Sequence, residues 1–140
     1  MAFRDIERNL VKSPKPRMES YIADAAVKQG QIVRLSGDDN RVEPSDTDGD
    51  TDVVGLAIHD AEADSDVTVA TWGTNVIATA ATLVDAGDQV TTHGNTGEPG
   101  EVTTAEAGDP VIGNAIRDAV GTNDDVLIRL EQVGVMEESA

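Results

Sequence analysis

Two stretches decide the fold: Val53-Val54-Gly55-Leu56-Ala57-Ile58-His59-Asp60-Ala61 and, further on, Pro110-Val111-Ile112-Gly113-Asn114-Ala115-Ile116-Arg117-Asp118-Ala119. Laying Val54-Gly55 on Ile112-Gly113 brings Gly, Ala-Ile and Asp-Ala into the same order. The agreement extends both ways. Upstream, Tyr21-Ile22-Ala23-Asp24-Ala25-Ala26 matches Val76-Ile77-Ala78-Thr79-Ala80-Ala81, and Val27-Lys28-Gln29-Gly30-Gln31-Ile32-Val33 matches Val84-Asp85-Ala86-Gly87-Asp88-Gln89-Val90. Downstream, Asp66-Val67-Thr68-Val69 matches Asp125-Val126-Leu127-Ile128. The offset grows only from 55 to 59 residues, so the chain reads as an internal repeat, with units at about 20–74 and 75–135.

Each unit reads as β. Val67, Val69 and Thr71 alternate with Thr68, Ala70 and Trp72, and Val126, Ile128 and Leu130 alternate with Leu127, Arg129 and Glu131. Asp38-Asp39-Asn40 and Gly94-Asn95-Thr96-Gly97 read as turns. Gly55 and Gly113 interrupt matching apolar runs, which signals a bulge or a backbone crossing too close for a side chain. Only Ala61–Ala63 and Ala115–Ala119 suggest helix, about one turn each. Units this small cannot bury their own faces alone. The expected fold is therefore all-β: a small antiparallel barrel or sandwich of two duplicated β units closing on each other, with an extended N-terminal arm. The expected layout is a basic arm at 1–19, the duplicated β domain at 20–136 and an acidic tail at 137–140.

Composition narrows the function. The 140 residues carry 27 acids against 10 bases, a net charge of -17, which repels nucleic acid and anionic membranes. Phe, Ile, Leu and Val make up 32 residues, just above the roughly 20% below which a charged chain stays disordered, so the core is thin and aliphatic. Phe3, Tyr21 and Trp72 are the only aromatics, which disfavours a base-stacking or aromatic-lined pocket. Without cysteine there is no disulfide, thiolate metal site or thiol nucleophile. No apolar run nears the roughly 20 residues of a membrane span, and the charged start reads as no signal peptide.

The charge is unevenly placed. Residues 1–17 hold Arg4, Arg8, Lys12, Lys15 and Arg17 against Asp5 and Glu7, while the remainder holds five bases and 25 acids. Ser13-Pro14-Lys15-Pro16 breaks the arm into an extended path. Phe3, Ile6 and Leu10 form one stripe of a helical segment too short to be stable alone. The stripe, with Val11, suits burial in a partner's groove while the bases meet partner carboxylates.

Catalytic and metal chemistry find little support. Ser45-Asp46-Thr47-Asp48-Gly49-Asp50-Thr51-Asp52 offers alternating carboxylates for a hard cation. Counted from Asp46, however, Gly49 falls at position 4 and Ala57 at position 12, where a calcium loop needs Gly at 6 and an acid at 12. His59 and His93 have no zinc spacing, and His59 aligns with Arg117, which reads as a surface position. Phosphate-binding glycine motifs are absent, and no nucleophile stands in a distinctive setting. The expectation is a protein that binds rather than catalyses, with no cofactor and no metal. Trp72, at the end of a strand before Gly73, is the candidate interface anchor.

The pattern of an Ala-rich start, Val-x-x-Gly-x-x-Val, an acidic loop, Val-x-Gly-x-Ala-Ile-x-Asp-Ala and a Val-x-Val strand resembles the small capsid decoration proteins of tailed viruses. Ala26-Val27-Lys28-Gln29-Gly30-Gln31-Ile32-Val33-Arg34-Leu35 and Val54-Gly55-Leu56-Ala57-Ile58-His59-Asp60-Ala61 carry the likeness. The Asp-rich acidity and scarce lysine resemble proteins of salt-in haloarchaea and their viruses, since multimolar salt screens the self-repulsion. The resemblance implies a non-enzymatic, homotrimeric protein on the outer capsid surface, bound to the major capsid protein and stabilising the shell in high salt. It would reside in the virion, and in the host cytoplasm during assembly, with no nucleic-acid or membrane partner. Phe3, Arg4, Ile6, Arg8, Leu10, Val11, Lys12, Lys15 and Arg17 would form the capsid-binding arm. The rival expectation is a halophilic cell-surface or secreted module that binds calcium through its acidic loop.

Overall fold

The computed structural model describes residues 10–12, 16–46, 52–93, 99–118 and 124–135, with Asp124 and the last four by backbone only. All its regular structure is β. The strands are β1 (Met18–Ala23), β2 (Ile32–Leu35), β3 (Arg41–Pro44), β4 (Val53–Ala57), β5 (Asp66–Ala70), β6 (Asn75–Ala80), β7 (Gln89–His93), β8 (Glu101–Thr104), β9 (Pro110–Ala115) and β10 (Asp124–Val135).

They form two closed barrels, ordered β1-β3-β2-β4-β5 and β6-β8-β7-β9-β10. In each, the first and third strands pair parallel (Ala23 beside Val42, Ala80 beside Val102), and every other pairing is antiparallel. The all-β expectation holds, but the sequence suggested one antiparallel barrel or sandwich in which the two units close on each other. Instead each closes its own, because the parallel pairing brings the third strand beside the first, and the fifth then seals the other side. The Ala-rich stretches are not helical where described. Ala61 forms a bridge with Val27, and Ala115 ends β9 with its N–H donating to Asp88 O at 2.8 Å.

Side-chain alternation sorts the core. Ala23, Val33, Val42, Ala57, Val67 and Val69 fill the first barrel. Their neighbours Ile32, Leu56 and Ala70 lie on the outer face, one across from the next, and belong to the cluster that also holds Val90, Val102, Val126, Ile128 and Leu130 of the second barrel. One of the two apolar clusters therefore spans both barrels, while the other fills the first barrel alone. Chain crossings stitch the seam: Ile32 N–H donates to Gly100 O at 2.9 Å, Gly100 N–H to Ser45 O at 2.7 Å, and Gln31 Nε2 to Pro99 O at 3.3 Å. A Cβ on Gly100, whose φ is +83°, would stand 2.7 Å from Gln31 Cβ.

The repeated glycines have a steric cause. A Cβ on Gly55 would meet the carbonyl oxygen of Ala70, and one on Gly113 that of Arg129. Both are backbone atoms of the neighbouring strand, which no rotamer change can move aside. Register shifts lie beside them, between Val33 and Arg34 in the first barrel and between Leu130 and Gly134 in the second. The repeated aspartates also have a cause. Gln29 N–H donates to Asp60 Oδ1 at 2.8 Å, and Ala86 N–H to Asp118 Oδ1 at 2.7 Å. In both barrels the next glycine, Gly30 or Gly87, donates to Ala57 O or Ala115 O at 2.8 Å. Asp in Ala-Ile-x-Asp-Ala thus satisfies the backbone of the Val-x-x-Gly turn.

Candidate functional site

Residues singled out separately in the sequence meet at one place, the Thr71–Ile77 segment joining the barrels. Val11 bridges Val76 antiparallel, Lys12 N–H donates to Asn75 O at 2.8 Å, and Ile77 N–H to Leu10 O at 2.9 Å. The end of the arm is thus a short added strand on the side of β6 that β8 does not reach until Ala80. Thr71 N–H donates to Arg17 O, and Arg17 N–H to Thr74 Oγ1, both at 2.9 Å. Gly73 N–H reaches Leu130 O at 2.6 Å. Trp72 sits in this turn, half-buried against the shared core.

The structure divides the expected arm. Leu10 is 2% exposed and lies within the chain's own core, and Val11 packs against that core. The apolar surface of Leu10 is already buried at home and that of Val11 in part, because the open side of β6 offers both backbone partners and a hydrophobic slot. Lys12 and Arg17 are exposed. Phe3, Arg4, Ile6, Arg8 and Lys15 lie outside the described residues, as does the tail at 137–140.

A polar row crosses the outer face here. Lys12 stands opposite Asn75, Asn75 opposite Arg129, Arg129 opposite Asn114, and Asn114 opposite Gln89. Arg129 Nε donates to Asn75 Oδ1 at 3.1 Å and Asn114 Nδ2 to Glu131 Oε2 at 3.0 Å. Arg129 is exposed, so the row presents two cations, with Arg17 close by, on a strongly acidic body. Sequence reasoning missed Arg129, Asn75 and Asn114, since strand alternation marks them only as outward-facing. Their gathering beside the arm depends on pairings distant in sequence.

Other basic side chains are engaged elsewhere. Arg41 donates to Asp64 Oδ1 at 2.7 Å and to Asp24 Oδ1 at 3.4 Å. The hydrogen bond to Asp64 is the main reason its pKa is raised, and desolvation opposes it. Arg34 lies 3.7 Å from Glu43 Oε2 and 3.6 Å from Asp52 Oδ2. Tyr21 has a raised pKa, first through burial and then through Glu19, whose Oε2 accepts its hydroxyl at 3.3 Å.

His59 is half-buried rather than a plain surface residue. Thr68 N–H donates to its Nε2 at 3.1 Å while Nδ1 lies 2.8 Å from Asp60 O, so Nδ1 carries the proton. An arginine cannot accept such a bond, and Arg117 at the matching place is exposed instead. In the acidic loop, Asp46 and Asp52 are exposed, and 47–51 lie outside the described residues. Among the described residues, no group of three or more His, Asp or Glu side chains is arranged to hold a metal.

Tandem closed β-barrels, with a short arm segment paired to the free side of β6, define the class of fold. The chain belongs to the phage cement protein family, which it matches over residues 13–130. Among solved structures it is similar to the N base of the head fiber gp8.5 of bacteriophage phi29, with a TM-score of 0.61 and 15% identity over 89% of this chain and 100% of that one. At that identity the likeness is one of fold. Comparison with curated proteins finds no match.

Proposed function

We propose that this protein decorates the outer surface of a tailed virus's capsid without catalysis, binding the major capsid protein and stabilising the shell. Membership of the cement family supplies the class. The observation that carries the mechanism is the gathering of Lys12, Arg17, Arg129 and Trp72 where the arm joins the body. These groups form a cationic face with a half-exposed indole, suited to an acidic shell surface. Leu10 and Val11 act as the anchor that fixes where the arm leaves the body, and Phe3, Arg4, Ile6 and Arg8 reach the shell. In the multimolar salt that the Asp-rich composition suits, charge pairs are screened, so apolar burial by Phe3, Ile6 and Trp72 carries more of the affinity. Assembly as trimers would bury further surface for a protein with a thin core. We also infer that one barrel arose by duplication of the other. The common strand order and the paired Asp60 and Asp118 bonds support that origin.

The test is co-sedimentation in multimolar salt with shells lacking this protein. Full-length chain, residues 10–140 and Lys12→Glu/Arg129→Glu are compared. Truncation must stop at Asn9, because removing Leu10 would unseat a core residue and confuse folding with binding. Saturable pelleting of the full chain, weakened by both changes, is expected. Absence of binding to intact shells would refute decoration. Equal binding by all three would refute this face and the arm as the contact.

A further inference from the structure

In the first barrel, β1 runs on beyond the reach of β3. Backbone groups along a strand alternate in direction. Ala23 N–H turns toward β5 and donates to Ser65 O at 2.9 Å, whereas Ile22 N–H turns the other way and donates to Asn40 O at 2.9 Å. Ser20 and Met18 share the direction of Ile22. β3, however, begins at Arg41, opposite Ile22, so the flank of Met18–Ser20 extends past its end. Met18, Glu19 and Ser20 are exposed there, Met18 by 37%. The second barrel shows what such a flank takes. The parallel pairs Ala23–Val42 and Ala80–Val102 correspond, and Ser20 opposite Thr68 answers Ile77 opposite Leu127. Ser20 therefore stands where Ile77 does and Met18 where Asn75 does, two residues off the sequence match of the strand starts. In the second barrel Ile77 N–H donates to Leu10 O and Asn75 O accepts from Lys12 N–H, and Val76 between them is fully buried. The residue matching Val76 is the exposed Glu19.

We propose that the β1 flank is a strand-acceptor site, where an extended aliphatic segment of the major capsid protein that carries a base pairs with Ser20 N–H and Met18 O. The proposal rests on the decoration reading. An exposed strand edge is a template for a further strand, its backbone giving affinity and its surroundings specificity. Three observations select the occupant. The matching flank of the second barrel holds Leu10-Val11-Lys12, two aliphatic residues and a base, through backbone hydrogen bonds. The slot itself is acidic: Glu19 lies in it, and the exposed Asp38 and Asp39 stand in the turn that brings Asn40 to its end. A base is therefore favoured over an acid. The flank also begins one residue after Arg17, so it continues the cationic junction described above. A second copy of this chain is the poorer source, since its own Leu10–Lys12 strand is already seated on β6.

The test combines amide exchange of the full chain, with and without shells lacking this protein, and co-sedimentation of Ser20→Pro and Ser20→Ala. Exchange at Ser20 should slow by about tenfold or more on the shell, as its N–H gains a partner. Proline is tolerated on an edge strand where the N–H faces outward, so Ser20→Pro should keep a cooperative unfolding transition. It removes the donor, and binding to shells should weaken about tenfold. Ser20→Ala keeps the N–H and should bind as the unaltered chain does. If Ser20→Pro fails to fold, exchange at Ser20 in the unaltered chain decides alone. Absence of pelleting by the full chain would remove the decoration reading and this occupant with it. Pelleting with unchanged exchange at Ser20, or equal binding by a folded Ser20→Pro, would overturn strand acceptance alone. Slowing at Ser20 that needs no shell and grows with protein concentration would assign the flank to a second copy and overturn the capsid protein as its occupant.

Discussion

Leu10→Ala probes how the arm is fixed. Leu10 is 2% exposed within the core cluster that both barrels share. The substitution deletes three carbons; at about 0.8 kcal/mol per buried methylene the transfer loss is roughly 2.4 kcal/mol. A residual void on the order of 50 Å³, at about 24 cal/mol per Å³, adds roughly 1.2 kcal/mol. The expected loss is therefore about 3.5 kcal/mol, inside the roughly 2–5 kcal/mol range of buried Leu→Ala changes. For a chain of this size that lowers the melting temperature by on the order of 10 °C. Denaturant and thermal unfolding followed by far-UV circular dichroism measure it. The shared core predicts a single transition rather than the loss of one barrel. Leu83→Ala serves as control: at 66% exposure it should change stability by less than about 0.5 kcal/mol. Residues 10–140 should be nearly as stable as the full chain. A loss below about 1 kcal/mol for Leu10→Ala, or an equal loss from deleting 1–9, would refute the anchoring of the arm by Leu10.

Three further outcomes are expected. Gly55→Ala and Gly113→Ala each drive a Cβ into a neighbouring strand's carbonyl, so both should lose about 3 kcal/mol or more, or fail to fold, in denaturant unfolding. Asp60→Ala and Asp118→Ala remove the acceptors for Gln29 N–H and Ala86 N–H. Each should cost about 1 kcal/mol, with faster amide exchange at the orphaned position; unchanged exchange would show that the turn is held otherwise. Tyr21 is the only tyrosine, so phenolate absorbance titrates it alone. Its pKa is raised by burial and by Glu19, so the folded state holds its proton longer than the unfolded one. Its contribution is complete below pH 10 and should fade as pH rises from 10 through the folded pKa. A folded midpoint at or below 10 would contradict the burial.

Much of the fold was legible because its signals are local. Val-x-x-Gly and Ala-Ile-x-Asp-Ala lie far apart in sequence yet describe one device, an aspartate satisfying a glycine turn. Gly55 and Gly113 marked a close backbone crossing, and the carbonyls of Ala70 and Arg129 supply it. That each unit closes a barrel of its own was not legible, because the pairing of Ala23 with Val42 is parallel and non-local and leaves no periodicity behind. The fate of Leu10 was hidden for a related reason. Its spacing from Phe3 and Ile6 suggested a helical stripe, whereas the unpaired side of β6 draws it into an extended pairing. Trp72 and Arg17 were visible as residue types, but only the fold reveals that one short turn holds them both.

The two outer rows differ in one further way. Ile32, Leu56 and Ala70 of the first barrel form an apolar seat for the second barrel, whereas the corresponding row of the second is Gln89, Asn114 and Arg129. A second apolar seat would invite another barrel, and then another, in a head-to-tail series without closure. The polar row offers no such seat and so acts as a polar terminus to that stacking, much as the polar faces of capping repeats do in a solenoid. On the decoration reading the same terminus gains a partner, and the viral shell stands where a third barrel would have been.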